Sequence, residues 1–176
     1  MIRKNPDGKF PSINKASFID STAIIIGNVK IGRNVFVGPG AVIRADEPGS
    51  FIIVKDNCNI QDRVIIHGLK DSSVIMAESV SLAHGCIVHG PCKIGKNCFI
   101  GFGAIVFDAE LADNVIVKHL AVVEGVRVSS KRLVPSGAVI DMQVKVKTLK
   151  LASRKLRYFA LEIIKTNMDL AKCYKK

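Results

Sequence analysis

The sequence predicts a mainly β protein: a parallel β-helix of stacked three-sided coils over residues 1–142, then an amphipathic α-helix over residues 143–176. Three observations predict it. Aliphatic residues return every six positions. The apolar side chains are chiefly Val and Ile, with aromatics at 6% and no Trp. Beyond residue 142 the apolar spacing changes to that of a helix. With 48% hydrophobic residues in 176, the chain has enough apolar matter for one core, and β-branched side chains suit strands.

The six-residue series begins Ile25, Ile31, Val37, Ile43, while Ala23, Val29, Val35 and Ala41 keep step two positions earlier. Residues 46–50 interrupt it, and Val54, Ile60 and Ile66 resume it. After a second interruption Met76, Leu82, Val88, Ile94, Ile100 and Val106 run unbroken. Two one-residue slips then lead to Leu111, Val117, Val123 and to Val128, Val134, Ile140. Period six is neither the helical 3.6 nor the 2 of a lone strand. It fits short strands joined by tight corners, with Gly where the backbone bends, as in Ile31-Gly32 and Ile94-Gly95. Three hexapeptides close one triangular coil, and coils stack by parallel pairing at about 4.8 Å. Cys58, Cys86, Cys92 and Cys98 all fall in the minor inward series and read as small core residues. With Cys173 the count is odd, which argues against a disulfide framework.

From residue 143 the series Leu149, Leu156, Phe159, Ile163 and Leu170 marks one helix stripe, to pack along the prism or against a neighbouring subunit. The net charge of +11 gathers largely in this segment and reads as a solvated helix face. No Gly-rich phosphate loop, aromatic-studded basic strand or zinc-finger spacing supports a nucleic-acid partner. No apolar run approaches the roughly 20 residues of a membrane span. Residues 1–9 lack the apolar stretch of a secretory leader, so the expected location is cytoplasmic.

Three of the four histidines lie close together in sequence. His67 follows the inward Ile66 and His89 follows the inward Val88. Three hexapeptide steps, one coil, separate them, so they stack on equivalent corners, roughly 5 Å apart in backbone. His84 lies one corner earlier, on another edge, where its own chain does not bring it to the other two. In a threefold assembly that edge faces a neighbour's pair, which places a three-histidine site between subunits of a homotrimer. Three neutral imidazoles with an open fourth position describe a catalytic zinc site. His119, on a later coil, is not expected to be a ligand. Arg44 falls one coil below His67, while Asn59, Gln61 and Asp62 project from the neighbouring corner. Arg44 with Asp46 or Asp62 also reads as an intersubunit ion pair, a role compatible with a place beside the metal.

The hexapeptide pattern matches the hexapeptide-repeat proteins, whose fold is the left-handed β-helix. More specifically, Arg44-Ala-Asp46-Glu47, Asn59-Ile-Gln61-Asp62, His67 and the run from Ser81 through His84 and His89 to Pro91 resemble the γ-class carbonic anhydrases. The likeness continues through Phe99-Ile-Gly-Phe-Gly103 to Val134-Pro-Ser-Gly-Ala-Val-Ile140. It implies reversible hydration of carbon dioxide to bicarbonate by a metal-bound hydroxide. The metal, Zn2+ or in its place Fe2+ or Co2+, is held by His67 and His89 of one subunit and His84 of the next. It further implies that Gln61 orients the hydroxide, that Asn59 positions carbon dioxide, and that Arg44, Asp46 and Asp62 hold the interface, with Arg44 helping bicarbonate leave. The best-studied branch has a long acidic loop after the first ligand; here that stretch, residues 68–73, is short and has no Glu. Glu47 matches a family position and reads either as a proton carrier or as a solvated surface carboxylate. Tyr158 of the C-terminal helix is expected to reach the site as in relatives without the loop.

Three other readings stay open on sequence alone. An acyltransferase would use one His as general base beside a coenzyme A groove. A thioesterase or other metal hydrolase could use the same ligands, and a non-catalytic trimer could keep its metal for assembly only.

Overall fold

The computed structural model describes residues 1–174. Its strands are short, mostly two to four residues, and all pair in parallel into a 13-stranded and a 7-stranded sheet. These make three faces. The first climbs through Ile24–Gly27, Val42–Ala45, Ile65–His67 and the start of Ile87–Ile94. The second climbs through Val29–Ile31, Phe51–Val54, Ser73–Met76 and the end of Ile87–Ile94. The third, the smaller sheet, climbs through Phe18–Ile19, Phe36–Val37, Asn59–Ile60, Ser81–Leu82 and Phe99–Ile100. The strand Ile87–Ile94 turns the corner between the first two faces at Gly90 and Pro91, which joins them into one sheet.

The six-residue clock is the core. Ile25, Ile43, Ile66, Val88 and Val106 stack inside the first face, Ile31, Val54, Met76 and Ile94 inside the second, and Val37, Ile60, Leu82 and Ile100 inside the third. None is more than 2% exposed. The minor series fills the gaps near the corners, including the four inward cysteines. Their thiols are unpaired, and burial pushes each up to about 12, so they stay protonated, inert core groups.

The corners explain the glycines. At Gly32 a Cβ would stand 2.4 Å from Asp56 Oδ1, and at Gly95 2.6 Å from Asp113 Oδ1. Each aspartate comes from the coil above and accepts the next backbone N–H below, Arg33 N–H at 2.7 Å and Lys96 N–H at 2.8 Å. The carboxylate satisfies a corner amide that no strand partner reaches. The adjoining left-handed corner positions carry Asn34, Asn57, Asn97 and Asn114, with φ between 52° and 61°. Asn is the non-glycine residue best suited to that conformation.

The C-terminal segment differs from the single helix expected. Helix α1 (Gln143–Thr148) folds over the last coil and buries Val146 and Leu149 against the core, closing its open end. Residues 149–152 run back beside the top coil, with Leu133 N–H donating to Lys150 C=O and Ala152 N–H to Lys131 C=O. Helix α2 (Arg154–Tyr174) then begins after Ser153, whose Oγ caps Leu156 N–H at 3.2 Å, and descends the third face. Its buried residues are Ala160, Ile164 and Ala171; Leu156 and Ile163 are half-buried, while Phe159 and Leu170 of the expected stripe stand exposed. Small residues face the sheet because a helix axis lying on a flat β face leaves little room for large ones, and Ala160 packs with Ala83, Phe99 and Ile116. Among the described residues no helix is long and apolar enough to cross a membrane.

Candidate metal centre

The register of the first face brings the histidines together. His67 pairs with His89 above and Arg44 below, so three side chains climb one column, one per coil. The inward Ile66 and Val88 fix this: with their side chains in the core, the period-two alternation turns His67 and His89 out. The rings meet edge to face with centroids 4.8 Å apart, and His67 Nδ1 faces His89 Nε2 at 3.0 Å.

His89 Nδ1 lies 3.3 Å from the Gly90 carbonyl, and His67 Nε2 lies 3.5 Å from both Asp46 Oδ1 and Glu47 Oε1. At 3.0 Å one ring can donate to the other, while His67 Nε2 is buried without a hydrogen-bond partner. Two nitrogens bound tetrahedrally to zinc would stand about 3.3 Å apart, given Zn–N distances near 2.0–2.1 Å. The pair therefore fits two ligands of a divalent ion. Burial, then the positive groups His89 and Arg44, hold His67 below the ordinary imidazole value, which keeps it neutral and available; Glu47 and Asp46 pull the other way.

Arg44 donates to Asp46 Oδ2 from Nε at 3.1 Å and Nη2 at 2.8 Å, an ion pair within the chain. Asp46 is partly buried, which raises its pKa, but the Arg44 hydrogen bond and charge outweigh that and leave it lowered, an anion beside His67. Glu47 accepts Lys70 N–H at 2.7 Å, tying the two interrupting loops together while its other oxygen faces His67.

His84 stands apart, on the corner between the third and first faces. Its Nδ1 lies 3.5 Å from Asp62 Oδ2, and its ring stacks on Phe102 with centroids 5.5 Å apart. With Nδ1 turned to a carboxylate, Nε2 is the free coordinating atom. Among the described residues no single chain gathers three metal-binding side chains. The chain thus presents two adjacent histidines on one surface and a lone histidine on another.

The repeat family described as bacterial transferase hexapeptide (six repeats) matches residues 10–45. Over 193 aligned residues the chain is 33% identical to the carbonic anhydrase of Methanosarcina thermophila, covering 98% of this chain and 78% of that protein. The chain belongs to the γ-class carbonic anhydrase family. This γ-class chain is also 39% identical over 172 residues to the carboxysome assembly protein CcmM of a Nostoc species, covering 92% of itself but only 31% of that longer protein. Its left-handed β-helix superposes on a hexapeptide transferase family protein from Anaplasma phagocytophilum with a TM-score of 0.85, at 25% identity over 99% of this chain and 98% of that one.

Gln61 and Asn59 lie on the third face of the γ-class chain, near His84 and not near the pair. Asn59 is fully buried, donates to Ser81 Oγ at 3.0 Å, and has an unpartnered Oδ1; Gln61, 6% exposed, has an unpartnered Oε1. A cavity of about 440 Å³ joins Gln61, Asp62 and His84 to Asn167, Leu170 and Tyr174 at the foot of α2. Tyr158 is not brought there. It stands exposed near the other end of the helix, its hydroxyl 3.4 Å from Arg154. Of the α2 residues in the cavity, Leu170 belongs to the expected stripe, whereas locating Asn167 and Tyr174 needs the direction in which α2 descends.

Proposed function

We propose that three copies of this chain assemble into a metal-dependent carbonic anhydrase that interconverts carbon dioxide and bicarbonate. The observation that carries the reading is the His67–His89 pair, whose inner nitrogens face each other at 3.0 Å while their outer nitrogens face acceptors. The partner's His84 supplies the third ligand, since its own chain leaves Nε2 without use. A divalent ion held by three neutral imidazoles, Zn2+ or in its place Fe2+ or Co2+, lowers the pKa of water to about 7 and makes a hydroxide nucleophile available at neutral pH.

The chain's own residues do the rest. The Gly90 carbonyl faces His89 Nδ1, and the carboxylates of Asp46 and Glu47 lie 3.5 Å from His67 Nε2, where they favour a proton on that nitrogen. Asp62 does the same for His84. Gln61 arrives with His84, and its buried, unpartnered Oε1 is placed to accept a hydrogen bond from the attacking oxygen and aim its lone pair. Asn59 presents its own free Oδ1 beneath, with its amide fixed by Ser81, where it supports the carbon dioxide position. Arg44, held by Asp46, puts a cation one coil below the pair, suited to draw off bicarbonate. Glu47 touches both His67 and the solvent edge, a path for the proton released per turnover.

Stopped-flow carbon dioxide hydration on anaerobically purified protein, with metal quantified in the same sample, tests the reading. Hydration above the buffer rate and abolished by chelation is expected; full metal occupancy without hydration would move the site to another hydrolytic substrate or to assembly. Gln61→Ala is expected to slow kcat/KM by about 10- to 100-fold with metal content unchanged, since removing one positioning hydrogen bond costs on that order. Loss of metal in that variant would instead make Gln61 a ligand.

A further inference from the structure

Two ladders of side chains climb this molecule, one residue per coil. On the first face the ladder reads Arg44, His67, His89, Phe107, Glu124, each in strand register with the next. On the preceding corner it reads Asp62, His84, Phe102, His119. There Gly85 N–H donates to the Asp62 carbonyl, Gly103 N–H to that of His84 and Leu120 N–H to that of Phe102, so this ladder also rises by one coil per step. Its upper rings are stacked, His84 on Phe102 at 5.5 Å and Phe102 on His119 at 4.5 Å.

The inference rests on the three-histidine reading, which sets one copy's His84 against the next copy's His67 and His89. Equal rise per coil then determines every other rung. Asp62 falls between the partner's Arg44 and His67, Phe102 between the partner's His89 and Phe107, and His119 between the partner's Phe107 and Glu124. Each rung then has a complementary neighbour on the partner, a cation beside Asp62, a ring beside Phe102 and a carboxylate beside His119. The top rung is otherwise unexplained. Glu124 is exposed, and among the described residues it has no ion pair or side-chain hydrogen bond in its own chain. His119 Nδ1 accepts Phe102 N–H at 3.1 Å, so the ring proton of the neutral form sits on Nε2, ready to donate outward. Beside it Leu120 is 71% exposed at φ 58°, in a corner column whose other left-handed positions are Gly40, Arg63, Gly85, Gly103 and Gly137. A large apolar side chain in a strained, exposed corner is accounted for by a surface that covers it.

We propose that these ladders form a self-complementary seam between copies of this chain, closed at the top by His119 Nε2 of one copy donating to the partner's Glu124, with Leu120 covered beside it. The seam fixes vertical register two coils away from the metal, so that His84 arrives at the level of the pair and not one coil off.

A His119→Cys/Glu124→Cys chain in a Cys173→Ser background, treated with a short bis-maleimide, tests the seam; the four remaining cysteines are buried. Covalent dimers and trimers are expected from the double variant and not from either single one. Glu124→Lys is expected to raise the trimer dissociation constant tenfold or more, read by sedimentation at graded concentration, because a cation then faces the His119 donor. A wild-type trimer with bound metal but no cross-linked species would overturn the seam and leave the three-histidine site standing. A wild-type monomer under the same conditions would overturn both.

Discussion

Neither a His84→Ala chain nor a His67→Ala/His89→Ala chain is expected to hydrate carbon dioxide above the buffer rate, yet the two mixed together are expected to do so. When equal amounts are unfolded and reassembled, each interface joins the pair of one chain to the lone histidine of the next. The site is complete only where the first chain is His84→Ala and the second is the double variant. Random assembly gives that combination at about one quarter of the interfaces, a half times a half, so about one quarter of the wild-type activity and metal content should return. Both parents should keep the fold, since His84 lies on a half-exposed corner and His67 and His89 turn out from the core. Recovery near zero, with refolded wild-type protein active as a control, would show that the ligands do not come from two chains. No intrachain arrangement predicts complementation.

The legible part of this molecule is the part governed by period. Inward aliphatics at six-residue intervals, the interruptions at residues 46–50 and 68–73, and the slips before Leu111 and Val128 suffice to count coils, and counting coils puts His67 over Arg44 and under His89. What period does not carry was read less well. The C-terminal stripe predicts one helix because Leu149 and Leu156 are in helical step. Ser153, an N-cap residue at the true start of α2, was the overlooked signal. The stripe itself misled because hydrophobicity was used to choose the buried face, whereas closeness to a flat sheet selects alanine, leaving Phe159 and Leu170 exposed and Ala160 and Ala171 buried. The acceptors for the imidazole protons were not legible either: the Gly90 carbonyl is a backbone group, and Glu47 reaches His67 only because the two inserted loops stack.

Ile66→Ala should cost about 2–5 kcal/mol of stability, which for a chain of this size lowers Tm by roughly 5–20 °C. Ile66 is fully buried between Ile43 and Val88 in the stack, and the prism walls are hydrogen-bonded coil to coil, so they cannot collapse onto the lost methyl and methylene groups. An apolar void of that kind stays dry, and its lining simply loses contacts. The site should feel it as well. His67 is the next residue, and a looser strand lets its Nδ1 drift from His89 Nε2, so metal affinity should fall, though less than on losing a ligand. Ile53→Ala provides the contrast. Ile53 pairs with Ile75 on the outward side of the second face and is only half-buried, so its loss should cost under about 1 kcal/mol. The two isoleucines have the same chemistry and both sit in short parallel strands; they differ in whether their number falls on the six-residue clock. A calorimetric scan giving equal losses for both would mean that the period does not mark the core. With it would go the coil count that places the histidines.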